Sequence, residues 1–155
     1  MQIKTAADVE IARLDVPDDA LPQAELVLAG RRTGWHVRGA VLEAALRFDD
    51  RLLLFMTDDR PYEESLSLHL LDMDGRLLDS ATLDAPYSTG TFSDLAVEPP
   101  DGVRFRFIGG VDWRVRLLAR RRWRWPPVPD APGVRHRPGL TQYFVVSGRP
   151  QPQPR

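Results

Sequence analysis

The segment with the most pronounced chemical character is residues 120–125, in which arginines are interleaved with tryptophans. Guanidinium groups neutralise phosphates and tryptophan rings stack on bases, so this segment could bind nucleic acid. The same side chains could anchor a protein to an anionic membrane surface. Together with arginines that precede it, the segment defines a candidate binding surface that consists of Arg114, Arg116, Arg122, Trp123, Arg124 and Trp125.

The alternation of residue types around this segment supports a second interpretation, which we favour. Between residues 104 and 125 most of the large apolar side chains occupy odd positions, and most arginines occupy even ones. Odd and even positions of a β-strand face opposite sides. We therefore predict that the arginines line an outer face, where acids from the first two thirds of the chain pair with them, and that nucleic-acid binding is unlikely. The residues expected on the buried face are Phe105, Phe107, Val111, Trp113, Val115, Leu117, Ala119, Trp123 and Trp125.

The histidines do not have the spacing of a metal site. His36, His69 and His136 fall on separate predicted segments, and no pair matches H-x-x-x-H or H-E-x-x-H. His69 is out of phase with the leucines of its strand, so we expect it to face solvent. Residues 72–75 begin like a calcium loop but lack the later ligands, and we interpret them as a turn. Because the chain also has no cysteine, we predict no metal and no cofactor.

Two other polar segments give weaker chemical signals. The loop 57–65 contains four acids, and a suitably spaced pair of carboxylates could act on a glycoside by acid–base catalysis. The segment 87–93 is rich in hydroxyls and could contribute to a small-molecule pocket. Neither has the spacing of a nucleophile elbow or a phosphate-binding loop, so we interpret both as ordinary polar loops. The residues that would line such a pocket are Trp35, Tyr87, Ser88, Thr89 and Trp113.

The elements that must position these residues repeat with a period of two, which indicates strands. Turn-forming pairs of Asp, Gly and Pro separate the strands at short intervals. We predict an all-β, mostly antiparallel fold with little helix: a single-domain β-sandwich or a small, partly open barrel of about eight to nine short strands. The predicted strands cover residues 24–29, 35–48, 51–57, 66–71, 76–83, 95–98, 103–108, 111–119 and 141–147, and residues 10–16 are a weaker candidate.

Three of these strand predictions specify which side chains share a face. In the strand 35–48, Leu42, Ala44, Leu46 and Phe48 are expected on one side. The segment 66–83 is expected to form a hairpin that turns at Asp74-Gly75 and buries the leucines at 66, 68 and 70. The strand 103–108 is expected to pair with 111–119, which would align their arginines.

The two ends of the chain have different compositions from the centre. Residues 1–147 are expected to form one domain, and residues 148–155, rich in Pro, Gln and Arg, a disordered tail. The first residues contain no apolar stretch typical of a secretory signal, and no apolar run is long enough to span a membrane. The expected location is the cytoplasm.

Charge and composition narrow the function without identifying it. Of the 22 acidic residues, 20 lie in residues 1–102, whereas 12 of the 21 basic residues lie in 103–155. The chain has a single Lys and no Asn, which is typical of GC-rich bacterial coding sequences, so the arginine content alone says little about function. We expect a non-enzymatic protein-binding or accessory protein, for example of the immunity type, with an unidentified protein partner. The alternatives are a small-molecule-binding β-barrel or sandwich and nucleic-acid binding through residues 113–125.

Overall fold

A computed structural model describes residues 2–59, 65–84, 91–107, 112–123, 134–137 and 141–148. These residues form thirteen β-strands and no helix, which confirms the all-β class with more strands than the eight to nine expected. The strands are β1 (Lys4–Thr5), β2 (Val9–Arg13), β3 (Gln23–Leu28), β4 (Arg31–Arg38), β5 (Val41–Phe48), β6 (Arg51–Thr57), β7 (Leu66–Asp72), β8 (Leu77–Leu83), β9 (Ser93–Glu98), β10 (Gly102–Arg106), β11 (Asp112–Trp123), β12 (Val134–His136) and β13 (Thr141–Gly148).

The strands are arranged in three antiparallel sheets. The central sheet has the order β1-β5-β6-β7-β8-β12. The C-terminal sheet has the order β13-β11-β10-β9, and the N-terminal sheet has the order β2-β3-β4. Most neighbours in these orders are also neighbours in sequence, because short hairpin turns connect them.

The central sheet is covered on both faces. One face packs against the C-terminal sheet through an apolar cluster that includes Phe55, Leu68, Phe105 and Val115. The other face packs against the N-terminal sheet through a second cluster that includes Leu54. Strand β6 is therefore apolar on both sides, and its run of consecutive leucines, which does not alternate, is buried throughout.

The hairpin predicted for residues 66–83 is confirmed. Strands β7 and β8 pair in antiparallel register, and Leu66, Leu68 and Leu70 are fully buried. In the turn, Asp72 Oδ1 accepts hydrogen bonds from the backbone N–H groups of Asp74 and Arg76, both at 2.9 Å. The segment that resembled a calcium loop is thus a side-chain-stabilised turn.

The prediction of one continuous strand over residues 35–48 is wrong. Strand β4 ends at Arg38, and Gly39 has a φ of 142° that side chains other than glycine rarely adopt. A Cβ on Gly39 would lie 2.6 Å from the Cβ of Met56 in β6, so the close approach of the backbone to β6 also requires glycine here. The chain then passes from the N-terminal sheet into the central sheet.

The expected common face of Leu42, Ala44, Leu46 and Phe48 is also only partly correct. The pairing of β5 with β6 shifts register between Leu42 and Ala44. As a result Leu42 packs on the cluster facing the N-terminal sheet, whereas Ala44, Leu46 and Phe48 face the C-terminal sheet. A β-bulge of this kind reverses the side to which the following residues point.

The expectation that His69 faces solvent is wrong. His69 does point away from Leu66, Leu68 and Leu70, but its side of the sheet is covered by the N-terminal sheet, and only 7% of the residue is exposed. Alternation identified the face correctly and could not show that a second sheet covers it.

Several predictions concern residues outside the described ranges. These are the tail from residue 149 onward, the glycine pair at 109–110, and the site residues Arg124, Trp125, Tyr87, Ser88 and Thr89. Gly148, placed in the tail by the sequence, is the last residue of β13.

Candidate functional site

The first half of β11 has the two faces predicted from the sequence. Trp113, Val115 and Leu117 are buried in the core, and Arg114 and Arg116 are exposed on the outer face. Strand β10 pairs with β11 so that its own arginines share this outer face. The surface is therefore a row of guanidinium groups above a filled apolar core.

Acidic residues neutralise most of this outer face. Arg104 and Arg114 are direct cross-strand neighbours, an arrangement of like charges that is unfavourable by itself. Glu98 of β9 compensates for it, because its Oε1 lies 3.7 Å from Arg104 Nε and 3.4 Å from Arg114 Nε. The prediction that acids from the first two thirds of the chain meet these arginines is confirmed at this position.

Arg106 has two acidic neighbours. Its Nε donates a hydrogen bond to Asp112 Oδ1 at 3.0 Å, and its Nη1 lies 3.8 Å from Asp94 Oδ2. The hydrogen bond to Asp112 is the largest of the effects that raise the pKa of the Arg106 guanidinium. Arg116, in contrast, forms no ion pair with any residue in the described part of the chain, and it borders a shallow groove of about 420 Å³ together with Ser147.

The second half of β11 does not follow the predicted alternation. Ala119 and Trp123, expected on the buried face, are exposed, and 67% of Trp123 is accessible to solvent. The reason is a large bulge: Leu117 pairs with Phe144 but Arg122 pairs with Gln142, so residues 118–121 lie opposite Tyr143 alone. An ordinary bulge adds one residue to one strand; this one adds three and moves the end of β11 away from the core.

Two charged side chains from the central sheet satisfy the backbone groups that this bulge leaves unpaired. Arg51 donates hydrogen bonds to the carbonyl oxygens of Leu118 and Ala119 at 2.9 and 3.1 Å. Asp79 Oδ2 accepts a hydrogen bond from the backbone N–H of Tyr143 at 2.8 Å. Arg51 also lies over the Tyr143 ring, with 5.1 Å between its guanidinium carbon and the ring centroid. The bulge is therefore held by specific contacts.

Asp79 is a buried carboxylate with several partners. It is completely inaccessible to solvent, and its Oδ1 accepts a further hydrogen bond from the Ser80 N–H at 2.9 Å. Its Oδ2 lies 3.4 Å from Nε2 of His136, whose side chain is only 2% exposed. The His136 ring packs on Phe144, with 5.1 Å between ring centroids. These contacts join the β8–β12 edge of the central sheet to β13.

Residues 120–123, which we call the basic tip, project from this bulge. All four are exposed, and three of them are arginines. Arg120 and Arg121 form no ion pair with any residue that the structure describes. Arg122 donates to the side-chain oxygen of Gln142 at 2.7 Å, in the amide orientation that satisfies both groups. The tip thus combines unneutralised positive charge with the most exposed large apolar side chain among the described residues.

The structure describes two of the residues predicted to line a small-molecule pocket, Trp35 and Trp113, and these two do not lie together. Trp113 packs in the cluster between the central and C-terminal sheets, and Trp35 packs against the cluster on the opposite face of the central sheet. Trp35 instead lies over the β7–β8 turn, where a Cβ on Gly75 would overlap its indole ring. The two tryptophans are separated by the thickness of a β-sheet.

The acids of the loop 57–65 are only partly described, and one of them is already engaged. Asp58 is buried and forms an ion pair with Arg38, at 2.7 Å between Oδ2 and Nη2. Glu43, from β5, accepts a hydrogen bond from Thr57 at 2.8 Å. These contacts connect strands and leave no pair of free carboxylates facing a cleft within the described residues.

The histidines lie in three different environments. His36 is exposed on β4, His69 is buried between the central and N-terminal sheets, and His136 lies on the opposite side of the central sheet. Within the described ranges, no group of three or more His, Cys, Asp or Glu residues could hold a metal ion. The same part of the chain contains no helix long and apolar enough to cross a membrane.

Sequence reasoning missed Arg51, Asp79 and Tyr143 as determinants of this site. Asp79 had a detectable signal, because it shares the inward parity of Ala81 and Leu83 and a carboxylate at an inward position needs a partner. Arg51 and Tyr143 had none, since their role depends on contacts between sheets.

Comparisons with protein-family models, with curated proteins and with solved structures gave no match.

Proposed function

We propose that this chain is a non-enzymatic binding protein that engages an acidic surface of a protein partner through its basic tip. The observation that carries the proposal is the exposure of Arg120, Arg121 and Trp123 on a bulge held by Arg51 and Asp79. Arginine and tryptophan are the residues most enriched among those that dominate protein–protein binding energy. A bulge fixed by the core presents them at a lower entropic cost than a free loop would.

Charge complementarity determines the kind of partner. The outer face of the C-terminal sheet has Glu98, Asp94 and Asp112 among its arginines, so its field is largely cancelled. The tip has no such acids among the residues described, so positive charge remains available there, as it does at Arg116. A partner that presents carboxylates around an apolar pocket for Trp123 fits these features.

A protein partner fits the size of the tip better than a polynucleotide does. An extended segment of three arginines covers about 7 Å, given a rise of about 3.3 Å per residue. Proteins that depend on phosphate contacts for affinity commonly make about 6–10 of them. The chain as a whole has a formal charge of −1, which does not favour a long polyanion.

Nucleic-acid binding is nevertheless the second candidate, because one observation favours it. Arg116, Arg120 and Arg121 are exposed without ion pairs to described residues, which is the condition that this function requires. The two candidates differ in how binding depends on salt and on the tryptophan. We propose further that the protein meets this partner in the cytoplasm.

The test measures binding of a fluorescent acidic, tyrosine-containing peptide and of a labelled single-stranded oligonucleotide at about 150 mM salt. We expect peptide binding that weakens about ten-fold or more in the double variant Arg120→Gln/Arg121→Gln, and at least as much in Trp123→Ala. The matched control is Arg31→Gln/Arg32→Gln, which removes two exposed neighbouring arginines from β4. It should leave the affinity unchanged.

Two results would count against the proposal. If the tip and control variants weaken peptide binding equally, the interaction depends on total charge and not on the tip. If the oligonucleotide binds with micromolar affinity and the slope of log affinity against log salt falls by about one per arginine removed, nucleic-acid binding takes first place.

A further inference from the structure

We propose that His69 is an acid-sensitive latch, which holds the N-terminal sheet against the central sheet while it is neutral and releases that sheet when it is protonated. The proposal concerns the side of the molecule away from the basic tip and is independent of the partner proposed above. It follows from the position of one buried imidazole between two sheets.

His69 connects the two sheets through a single hydrogen bond. It projects from β7 of the central sheet, and its Nε2 lies 2.9 Å from the carbonyl oxygen of Arg38, at the end of β4. A carbonyl only accepts, so Nε2 carries the proton and Nδ1 is the unprotonated nitrogen of the neutral ring. Nδ1 is buried and has no hydrogen-bond partner among the described residues.

Protonation would place a new donor and a positive charge in this buried position. The added proton must go to Nδ1, where a buried N–H without an acceptor is costly. The charged groups that act on the ring are the Arg38 guanidinium, which opposes a second positive charge, and the Asp58 carboxylate, which favours it. Leu54 and Ser80, the cross-strand neighbours of His69, have no charge.

Burial is the largest of these effects, and it lowers the pKa of His69 below the ordinary 6.5. His69 stays neutral while the N-terminal sheet is docked on it, but it takes up a proton readily once that sheet has undocked. The docking of the N-terminal sheet therefore becomes weaker as the pH falls below 6.5. At pH 5 the docking equilibrium would shift by a factor of up to about 30.

The position of the latch decides which part of the fold responds. β4 reaches the central sheet at its end, where the Ala40 N–H also donates to the Thr57 carbonyl and Arg38 pairs with Asp58. Protonation of His69 therefore acts at the junction between the two sheets, where the hydrogen bond to the Arg38 carbonyl offsets only part of the effect of burial on the pKa of His69. The cluster between the central and C-terminal sheets does not include His69 and should not respond.

The experiment is amide hydrogen exchange at pH 7 and pH 5, expressed as protection factors so that the intrinsic pH dependence cancels. Amides of β3 should lose protection by about ten-fold or more at pH 5 relative to amides of β10 and β11. In His69→Gln, which keeps a side-chain donor but does not titrate, this extra loss should disappear. The matched control His36→Gln removes an exposed histidine of the N-terminal sheet and should respond like the unmodified protein.

A second measurement on the unmodified chain applies if His69→Gln does not fold. An NMR titration should show the His69 ring neutral down to the pH at which β3 loses protection, whereas His36 provides an exposed reference. The proposal is overturned if His69→Gln retains the full acid response, which would assign it to another group such as Asp58. It is also overturned if all three sheets lose protection together, or if His69 titrates near 6.5 with β3 still protected.

Discussion

Replacement of Asp79 by alanine is the perturbation that best tests how the bulge in β11 is maintained. The carboxylate is completely buried and accepts hydrogen bonds from the backbone N–H groups of Ser80 and Tyr143. The Tyr143 N–H depends on it, because the bulge removes the strand partner that this group would otherwise have. His136, 3.4 Å from the same oxygen, would also lose its buried carboxylate neighbour.

These contacts set the expected magnitude. Each buried donor left without an acceptor costs about 1–3 kcal/mol, and Asp79→Ala leaves two such backbone donors, the N–H groups of Ser80 and Tyr143. The effects overlap, so we expect Asp79→Ala to lower the free energy of unfolding by about 3–5 kcal/mol. That is a large fraction of the roughly 5–15 kcal/mol that stabilises a typical domain. Asp79→Asn keeps one acceptor oxygen, so its free energy of unfolding should lie between that of the unmodified protein and that of Asp79→Ala.

Urea denaturation at neutral pH measures this loss as a shift of the midpoint at constant slope. The control is Asp74→Ala, in the exposed β7–β8 turn, which should change stability by no more than about 0.5 kcal/mol. Hydrogen exchange at the Tyr143 amide provides a local readout, since that group should exchange much faster in Asp79→Ala. A loss below about 1 kcal/mol, or an unchanged Tyr143 amide, would show that the bulge does not depend on Asp79.

Three further predictions concern other parts of the fold. Arg51→Met removes two hydrogen bonds to bulge carbonyls while keeping much of the side-chain volume. The free energy of unfolding should fall by about 1–3 kcal/mol in denaturation, and the basic tip should bind the acidic peptide more weakly. Gly75→Ala places a Cβ on the Trp35 indole at a φ of 85° and should cost about 1–3 kcal/mol, more than Gly30→Ala, which is strained but unobstructed. Deletion of residues 149–155 should lower the melting temperature by less than about 5 °C, because the segment has little apolar area to bury.

The elements that the sequence predicted well are those in which local pattern and environment agree. The hairpin of β7 and β8 has alternating leucines on one strand and an Asp/Gly turn, and both signals are local. The pairing of β10 with β11 likewise follows from alternation on both strands. Short strands such as β1 and β12 contain too few residues to show any period, which is one reason why the count was low.

The errors occurred where a second layer or a bulge changes the meaning of the alternation. The period of two shows that His69 faces the side opposite to Leu66, Leu68 and Leu70, but it cannot show that the N-terminal sheet covers the histidine side. In β5, one bulge moves Leu42 to a different cluster from Ala44 although both have even numbers. Parity is conserved along a strand only while the register is uninterrupted.

The same physical reason separates the two kinds of arginine on β11. Arg114 lies in regular register, where its neighbours across the strands are fixed and Glu98 can be placed between it and Arg104. Arg120 lies within a bulge whose stability depends on Arg51 and Asp79, two residues far away in sequence and located in another sheet. A local sequence pattern cannot contain these contacts between sheets. The composition of residues 120–125 therefore predicted the chemistry of the tip, whereas the alternation predicted incorrectly that Trp123 is buried. Arg51 and the buried Asp79 hold the tip in an exposed position, and its arginines have no acidic partners among the described residues; this is the physical basis on which we propose function for the tip instead of the neutralised face beside it.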